Sequence, residues 1–186
     1  SMARCQTIDG EYELDPQDFV LTSKFNPELY LQKAGHGELV ETQNGEWILA
    51  HLASRPIGKN RDCILGRETC LQKVVWNEEG WLRLEKGGNE PSENVEVNPP
   101  EYEFEKTAER DDFDGETLDK SWNSLRVQID ESWANLTERK GFLRLHGRES
   151  LKSLHNQSLL GKRLQFQKCT VETKLEFSPE NFNQFA

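Results

Sequence analysis

Glu38-Leu39-Val40-Glu41-Thr42, then Gln43-Asn44-Gly45-Glu46, then Trp47-Ile48-Leu49-Ala50-His51-Leu52-Ala53 is the run on which the fold turns. The first five residues predict a β-strand. Asn44-Gly45 predicts a two-residue type I′ hairpin, because both central residues of that turn need positive φ. Trp47 to Ala53 then returns as a second strand. Trp47, Leu49 and Ala53 lie on one face of it, and Ile48, Ala50 and Leu52 on the other. A strand apolar on both faces is expected to be central and covered on both sides. His51 sits among apolar neighbours, which predicts a core histidine with its hydrogen bonds satisfied.

Reading toward the C-terminus, Leu71 to Trp76 predicts a third strand. Asn77-Glu78-Glu79-Gly80 is a turn, and Trp81 to Leu84 returns. Residues 37–85 therefore form two successive hairpins, a meander of propeller-blade size. One such sheet buries little surface alone and wants neighbours. Residues 86–108 change character: Gly87-Gly88, Pro91, Pro99-Pro100 and scattered Asn and Glu leave little to bury. This stretch predicts a linker or an extended crossing segment, with Val95 and Val97 packing lightly.

The β pattern resumes at Asp111. Trp122 to Val127, Trp133 to Leu136 and Phe142 to Leu145 predict short strands, with Trp122 and Trp133 in a core. Cys169 to Phe177 alternates most sharply of all. Cys169, Val171, Thr173, Leu175 and Phe177 face one way, and Thr170, Glu172, Lys174 and Glu176 the other. This predicts a half-buried strand of an antiparallel sandwich. Helical spacing is not sustained anywhere, and no internal repeat stands out.

Composition narrows the partners. The chain has 186 residues, with 23 Lys and Arg against 33 Asp and Glu, for a net charge of −10. Such a balance repels nucleic acid and anionic lipid, and neither is expected as a partner. No apolar run approaches the roughly 18–20 residues of a membrane helix. Ser1 to Gly10 lacks the apolar core of a secretory leader, and Ser1-Met2 reads as a cloning remnant, so the natural N-terminus is expected elsewhere. Cys5, Cys63, Cys70 and Cys169 are spaced by 58, 7 and 99 residues, which matches no zinc pattern. They are expected to be unpaired small core residues in a reducing, cytoplasmic setting.

An ordered series of motifs carries a family resemblance. It begins with Gly10-Glu11-Tyr12-Glu13-Leu14-Asp15-Pro16 and Ala34-Gly35-His36-Gly37-Glu38-Leu39-Val40-Glu41-Thr42. It continues with Gly45-Glu46-Trp47, Ala50-His51-Leu52, Leu65-Gly66-Arg67-Glu68-Thr69 and Leu71-Gln72-Lys73. Asp112-Phe113-Asp114-Gly115 follows, with Leu118-Asp119 and Trp122. The series ends with Leu145-His146-Gly147-Arg148-Glu149-Ser150-Leu151 and Val171-Glu172-Thr173-Lys174. In this order the motifs resemble glycoside hydrolase family 43, in the branch of β-xylosidases and α-arabinofuranosidases with a C-terminal sandwich.

The resemblance implies an all-β chain: the final part of a five-bladed β-propeller, then the first part of a concanavalin-like β-sandwich. Residues 3–88 would belong to the propeller, 89–108 to a linker and 109–186 to the sandwich. It implies inverting hydrolysis that removes terminal xylosyl or arabinosyl residues from xylan-derived oligosaccharides. An Asp base and a Glu acid would do this roughly 6.5–9.5 Å apart, leaving room for water, while a second Asp tunes the acid. In the family these groups lie on earlier blades, so none is assigned here, and this chain alone is expected to be inactive. No cofactor is required; a structural calcium is possible.

Two family positions do fall inside the chain. Arg67 matches the arginine that reaches into the sugar pocket, where a guanidinium can donate paired hydrogen bonds to vicinal hydroxyls. His36 matches the histidine near the propeller axis, beside the pocket floor and, in several members, a calcium held through water. Glu38, Glu41 and Glu68 do not match the acid or base, and Glu41 and Glu68 read as structural partners. Trp47, Trp76 and Trp81 could stack on a sugar face, but their hairpin positions predict packing. His146 and His155 have no recognisable partner pattern. The competing reading is a non-catalytic carbohydrate-binding or scaffold module. Either way, an incomplete propeller and sandwich predict exposed edges and association, with another chain or as a homo-oligomer.

Overall fold

The computed structural model describes residues 1–106, 108–150 and 152–186. Thr107, in the 86–108 segment, and Leu151, the last residue of its motif, lie outside the described residues. The described chain is all-β and contains no helix. Its strands are β1 (Ala3–Arg4), β2 (Glu13–Leu14), β3 (Gln32–Glu41), β4 (Trp47–Ser54), β5 (Glu68–Trp76), β6 (Leu82–Leu84), β7 (Trp122–Ser124), β8 (Ala134–Asn135), β9 (Arg144–Leu145) and β10 (Leu160–Lys162).

The expected meander is present. β3, β4, β5 and β6 form one antiparallel sheet in that order. Its first hairpin differs from the expected type I′ turn. Gly45 N–H donates to Thr42 O at 2.9 Å and Thr42 N–H to Glu46 O at 2.8 Å, and only Gly45 has positive φ, at 78°. This is a three-residue loop closed by a left-handed glycine. Asn44 keeps negative φ because the extra residue, Gln43, lets Gly45 alone absorb the reversal. The second hairpin repeats the device: Gly80 N–H donates to Asn77 O and Asn77 N–H to Trp81 O, both at 2.9 Å, with Gly80 at φ 76°.

β4 is central, and the main apolar cluster lies on one face of the sheet. Leu49, Val74, Leu82 and Leu84 form the core, with Met2, Val20, Leu21 and Trp47 packed against them. On the other face Ile48 is buried, yet Val40, Leu71 and Val75 are exposed. β4 itself is buried or half-buried along its whole length on both faces, as expected of a central strand; the three exposed side chains belong to its neighbours β3 and β5.

Residues 86–98 form a strap that crosses the sheet without joining it. Side chains supply most of its ties, beside one backbone bond from Thr22 N–H to Asn89 O at 2.7 Å. Gln72 donates to Ser92 O at 2.9 Å and accepts from Ser92 N–H at 3.0 Å. Glu46 accepts twice from Asn98, and Asn44 donates to Asn98 O. Prolines at 91, 99 and 100 cannot donate to a ladder, so this is how such a segment is held.

The 109–186 region is more sparsely paired. β7 pairs with β10 and β8 with β9, in strands shorter than the alternation predicted. Trp133 is fully buried, with the Arg148 guanidinium over its ring and its indole N–H donating to Gln128 O at 3.0 Å. Trp122 is half-buried and donates to Asp111 at 2.7 Å. Residues 169–177 contradict the prediction of a half-buried strand. They are exposed and join no ladder, because no described segment lies beside them to pair with.

Candidate functional site

The start of β3, the end of β4 and the start of β5 meet at one end of the main sheet. Register rows run Gly35–Leu52–Thr69 across the three strands. His36 follows Gly35, and Arg67 directly precedes β5. The fold therefore places the two predicted residues toward the same sheet end, two strands or roughly 10 Å apart across the ladder, and offset along it: His36 lies on one side of the Gly35–Leu52–Thr69 row and Arg67 on the other. Both are exposed.

His36 owes its position to an irregular strand. The β3–β4 register shifts between Gln32 and Gly35 and again between Gly35 and Glu38, and His36 has φ 52°. Bulges of this kind re-aim a side chain relative to the ladder, and a left-handed non-glycine residue is held only by its surroundings. Gly37 supplies part of that hold. A Cβ there would lie 2.6 Å from Leu49 Cδ1, a core atom. Gly37→Ala is accordingly expected to cost about 1–3 kcal/mol through overpacking, measurable as a lower urea midpoint with an unchanged slope.

Arg67 sits between two anchored neighbours. Gly66, at φ 71°, closes a turn onto Cys63 O, and Ser54 Oγ donates to Gly66 O at 2.6 Å. On the other side, Glu68 is held by Arg55 through two bonds of 2.9 and 2.6 Å. Arg55 thereby keeps the Glu68 carboxyl below its usual pKa range. Glu68 is a structural partner, as expected, and Arg55 is the residue that pairs with it, leaving Arg67 outside that bridge. Glu41 is exposed and makes no ion pair among the described residues, so its expected structural role is not seen.

His51 is buried, as predicted, but only half satisfied. Nδ1 lies 3.2 Å from Leu52 O, while Nε2 has no partner among the described residues. Burial pushes its pKa down, which favours the neutral ring. Trp81 is buried beneath the Arg4 guanidinium, 3.9 Å from its ring centre, and cannot meet a sugar. Trp47 and Trp76 pack edge to face at 6.0 Å.

The cysteines are free but none is fully buried, so the expectation of core residues fails. His146 has a partner that sequence did not reveal: Glu138 Oε1 lies 2.6 Å from its Nε2. The β8–β9 hairpin brings these two together. An open depression of about 480 Å³ in the 109–186 region is bordered by Asp111, Phe113, Asp119 and Lys162; its lining includes neither His36 nor Arg67.

Among the described residues no three His, Cys, Asp or Glu side chains converge into a metal-binding group. No described helix is long and apolar enough to cross a membrane.

Comparison with known proteins gives a consistent result. Residues 1–82 match the model for glycosyl hydrolases family 43, and residues 110–186 the β-xylosidase C-terminal concanavalin A-like domain. A putative β-xylosidase of Escherichia coli is 40% identical over 98% of this chain and 36% of its own length. A non-reducing end α-L-arabinofuranosidase of Bacteroides ovatus is 34% identical over 95% of this chain and 33% of its own. The crystal structure of xylan β-1,4-xylosidase from Bacillus halodurans superposes with a TM-score of 0.84 at 58% identity, covering 88% of this chain and 31% of that one. The chain thus spans about a third of the length of these relatives.

Proposed function

Residues 1–82 belong to glycosyl hydrolase family 43 and residues 110–186 to its β-xylosidase concanavalin A-like domain, and on that premise we propose that this chain is the sugar-gripping portion of an exo-acting glycosidase. The activity is removal of terminal xylosyl or arabinosyl units from xylan-derived oligosaccharides, with inversion at the anomeric carbon. The observation that carries this reading is the placement of exposed His36 and Arg67 at one end of the β3–β4–β5 sheet.

Arg67 donates two parallel hydrogen bonds to vicinal hydroxyls of the terminal sugar. Its backbone is fixed by Ser54 on one side and the Arg55–Glu68 pair on the other, so the fork is pre-positioned and loses little freedom on binding. His36 lines the pocket floor and offers a ring nitrogen to a hydroxyl. Neither residue breaks the bond. The general base and general acid are carboxyl groups outside this chain, spaced for an intervening water. Residues 3–88 act as the propeller portion, 89–108 as the linker and 109–186 as the sandwich portion. Four free cysteines support a reducing, cytoplasmic setting.

The test is hydrolysis of an aryl β-xyloside and an aryl α-arabinofuranoside by the longer protein that carries this chain, with the product anomer followed by NMR. Inversion on either substrate is expected, and absence of glycosidase activity would sink the reading. The 186-residue chain by itself is expected to show no turnover above blank; a robust rate would place the acids within it. A non-catalytic binding module would instead keep calorimetric affinity for xylo-oligosaccharides in isolation.

A further inference from the structure

The sequence offers Glu68 two arginines: its neighbour Arg67, and Arg55, 13 residues earlier. The structure pairs it with Arg55. Arg55 Nε donates to Glu68 Oε2 at 2.9 Å and Nη2 to Oε1 at 2.6 Å, which makes a two-pronged bridge. The strand register accounts for the choice. Ala53 of β4 lies opposite Glu68 of β5. Arg55 comes two residues after Ala53, so it is a diagonal neighbour of Glu68 on the same face, within reach of a long side chain. Arg67 and Glu68 are adjacent, and adjacent side chains of an extended chain leave opposite faces.

Ser54 and Arg55 are adjacent too, and they hold the two residues that flank Arg67. The buried Ser54 hydroxyl donates to Gly66 O at 2.6 Å, and Arg55 takes Glu68. Arg67 therefore enters β5 between a tied left-handed glycine and a clamped carboxylate. Arg55 is itself held. Gln167 Nε2 donates to its backbone oxygen at 3.4 Å. The Glu68 carboxylate and, after it, the Tyr30 hydroxyl push the Arg55 guanidinium above the ordinary arginine pKa.

On the reading of Arg67 as the sugar contact, we infer that Arg55 is its positioning residue, acting through Glu68 and without touching substrate. The reason is geometric. A guanidinium fork makes its paired hydrogen bonds only when its plane and direction match the two acceptors. Its aim is set by the backbone from which the side chain leaves. Without Arg55, the Glu68 carboxylate loses its clamp and the start of β5 is tied on the Gly66 side alone. Misplacement of a positioning group by about 1 Å can cost as much as a hundredfold in rate.

The test is a double-mutant cycle in the longer protein that carries this chain. The variants are Arg55→Ala, Glu68→Gln and Arg67→Ala, and each of the first two combined with Arg67→Ala. The readouts are kcat and KM on an aryl β-xyloside or α-arabinofuranoside, with the urea midpoint beside them. Arg55→Ala and Glu68→Gln are each expected to lower kcat/KM about tenfold. In the Arg67→Ala background each is expected to change it by less than about twofold, because no fork is left to position. Glu68→Gln keeps the side-chain shape, so the cycle can be read from it alone if Arg55→Ala does not fold. A purely structural bridge would lower kcat/KM alike in both backgrounds, in step with the urea midpoint, and that result would overturn the inference. So would Arg55→Ala and Glu68→Gln variants as active as the parent beside an impaired Arg67→Ala. An Arg67→Ala variant as active as the parent would overturn the reading of Arg67 itself, and the positioning role with it.

Discussion

Asp15→Ala is expected to destabilise the chain by on the order of 3 kcal/mol, close to a third of what a domain of this size usually holds. The Asp15 carboxylate is buried and takes both arms of the Arg83 guanidinium, at 2.7 and 2.8 Å, while also accepting from Gln17 N–H at 2.9 Å. This pair pins the 15–21 segment, whose Val20 and Leu21 cover the core, onto β6. Removing one partner leaves a mostly buried charge without compensation, which costs more than the pair is worth intact.

Arg83 holds the Asp15 carboxyl below the usual carboxylate range. A depressed pKa in the folded state means a contribution that is complete above the unfolded value of about 4 and is lost as pH falls through the folded value. Urea unfolding at neutral pH should therefore show the full loss for Asp15→Ala. Asp15→Asn should lose the pH-dependent part while keeping the shape. A parent and an Asp15→Asn variant with the same acid sensitivity would contradict this assignment.

The blade was legible because its signals are local. Alternation over β3 to β5 and glycines at the ends of both loops suffice to place four strands, and β3–β6 is a blade of the family's propeller followed by the opening of its concanavalin-like sandwich. The turn type was misread because Asn44-Gly45 leaves open whether the loop has two residues or three. Long-range pairs left no local trace: Asp15 and Arg83 are 68 residues apart, and Glu68 could as easily have been assigned its neighbour Arg67 as Arg55. The alternation at 169–177 predicted a half-buried strand that the structure does not form. A pattern specifies which face is apolar, however, and not which strand will cover it. At the candidate site, His36 and Arg67 were legible only as members of motifs. The double register shift that turns His36 out of the ladder cannot be read from Gly35-His36-Gly37 alone.

The second large effect is on activity. Arg67→Ala in the longer protein is expected to lower kcat/KM roughly a hundredfold, because two hydrogen bonds from a charged donor to the sugar are lost together. Arg67→Lys keeps the charge without the fork and should recover only a small part. Stability should not change, since Arg67 is exposed and Glu68 keeps Arg55. The direct measurement is kcat/KM on an aryl β-xyloside or α-arabinofuranoside, taken beside the urea midpoint, for the parent, Arg67→Ala and Arg67→Lys. The account predicts a hundredfold loss with Ala, a large residual loss with Lys and an unmoved midpoint. An unchanged kcat/KM, or a loss that tracks a fall in the midpoint, would contradict it.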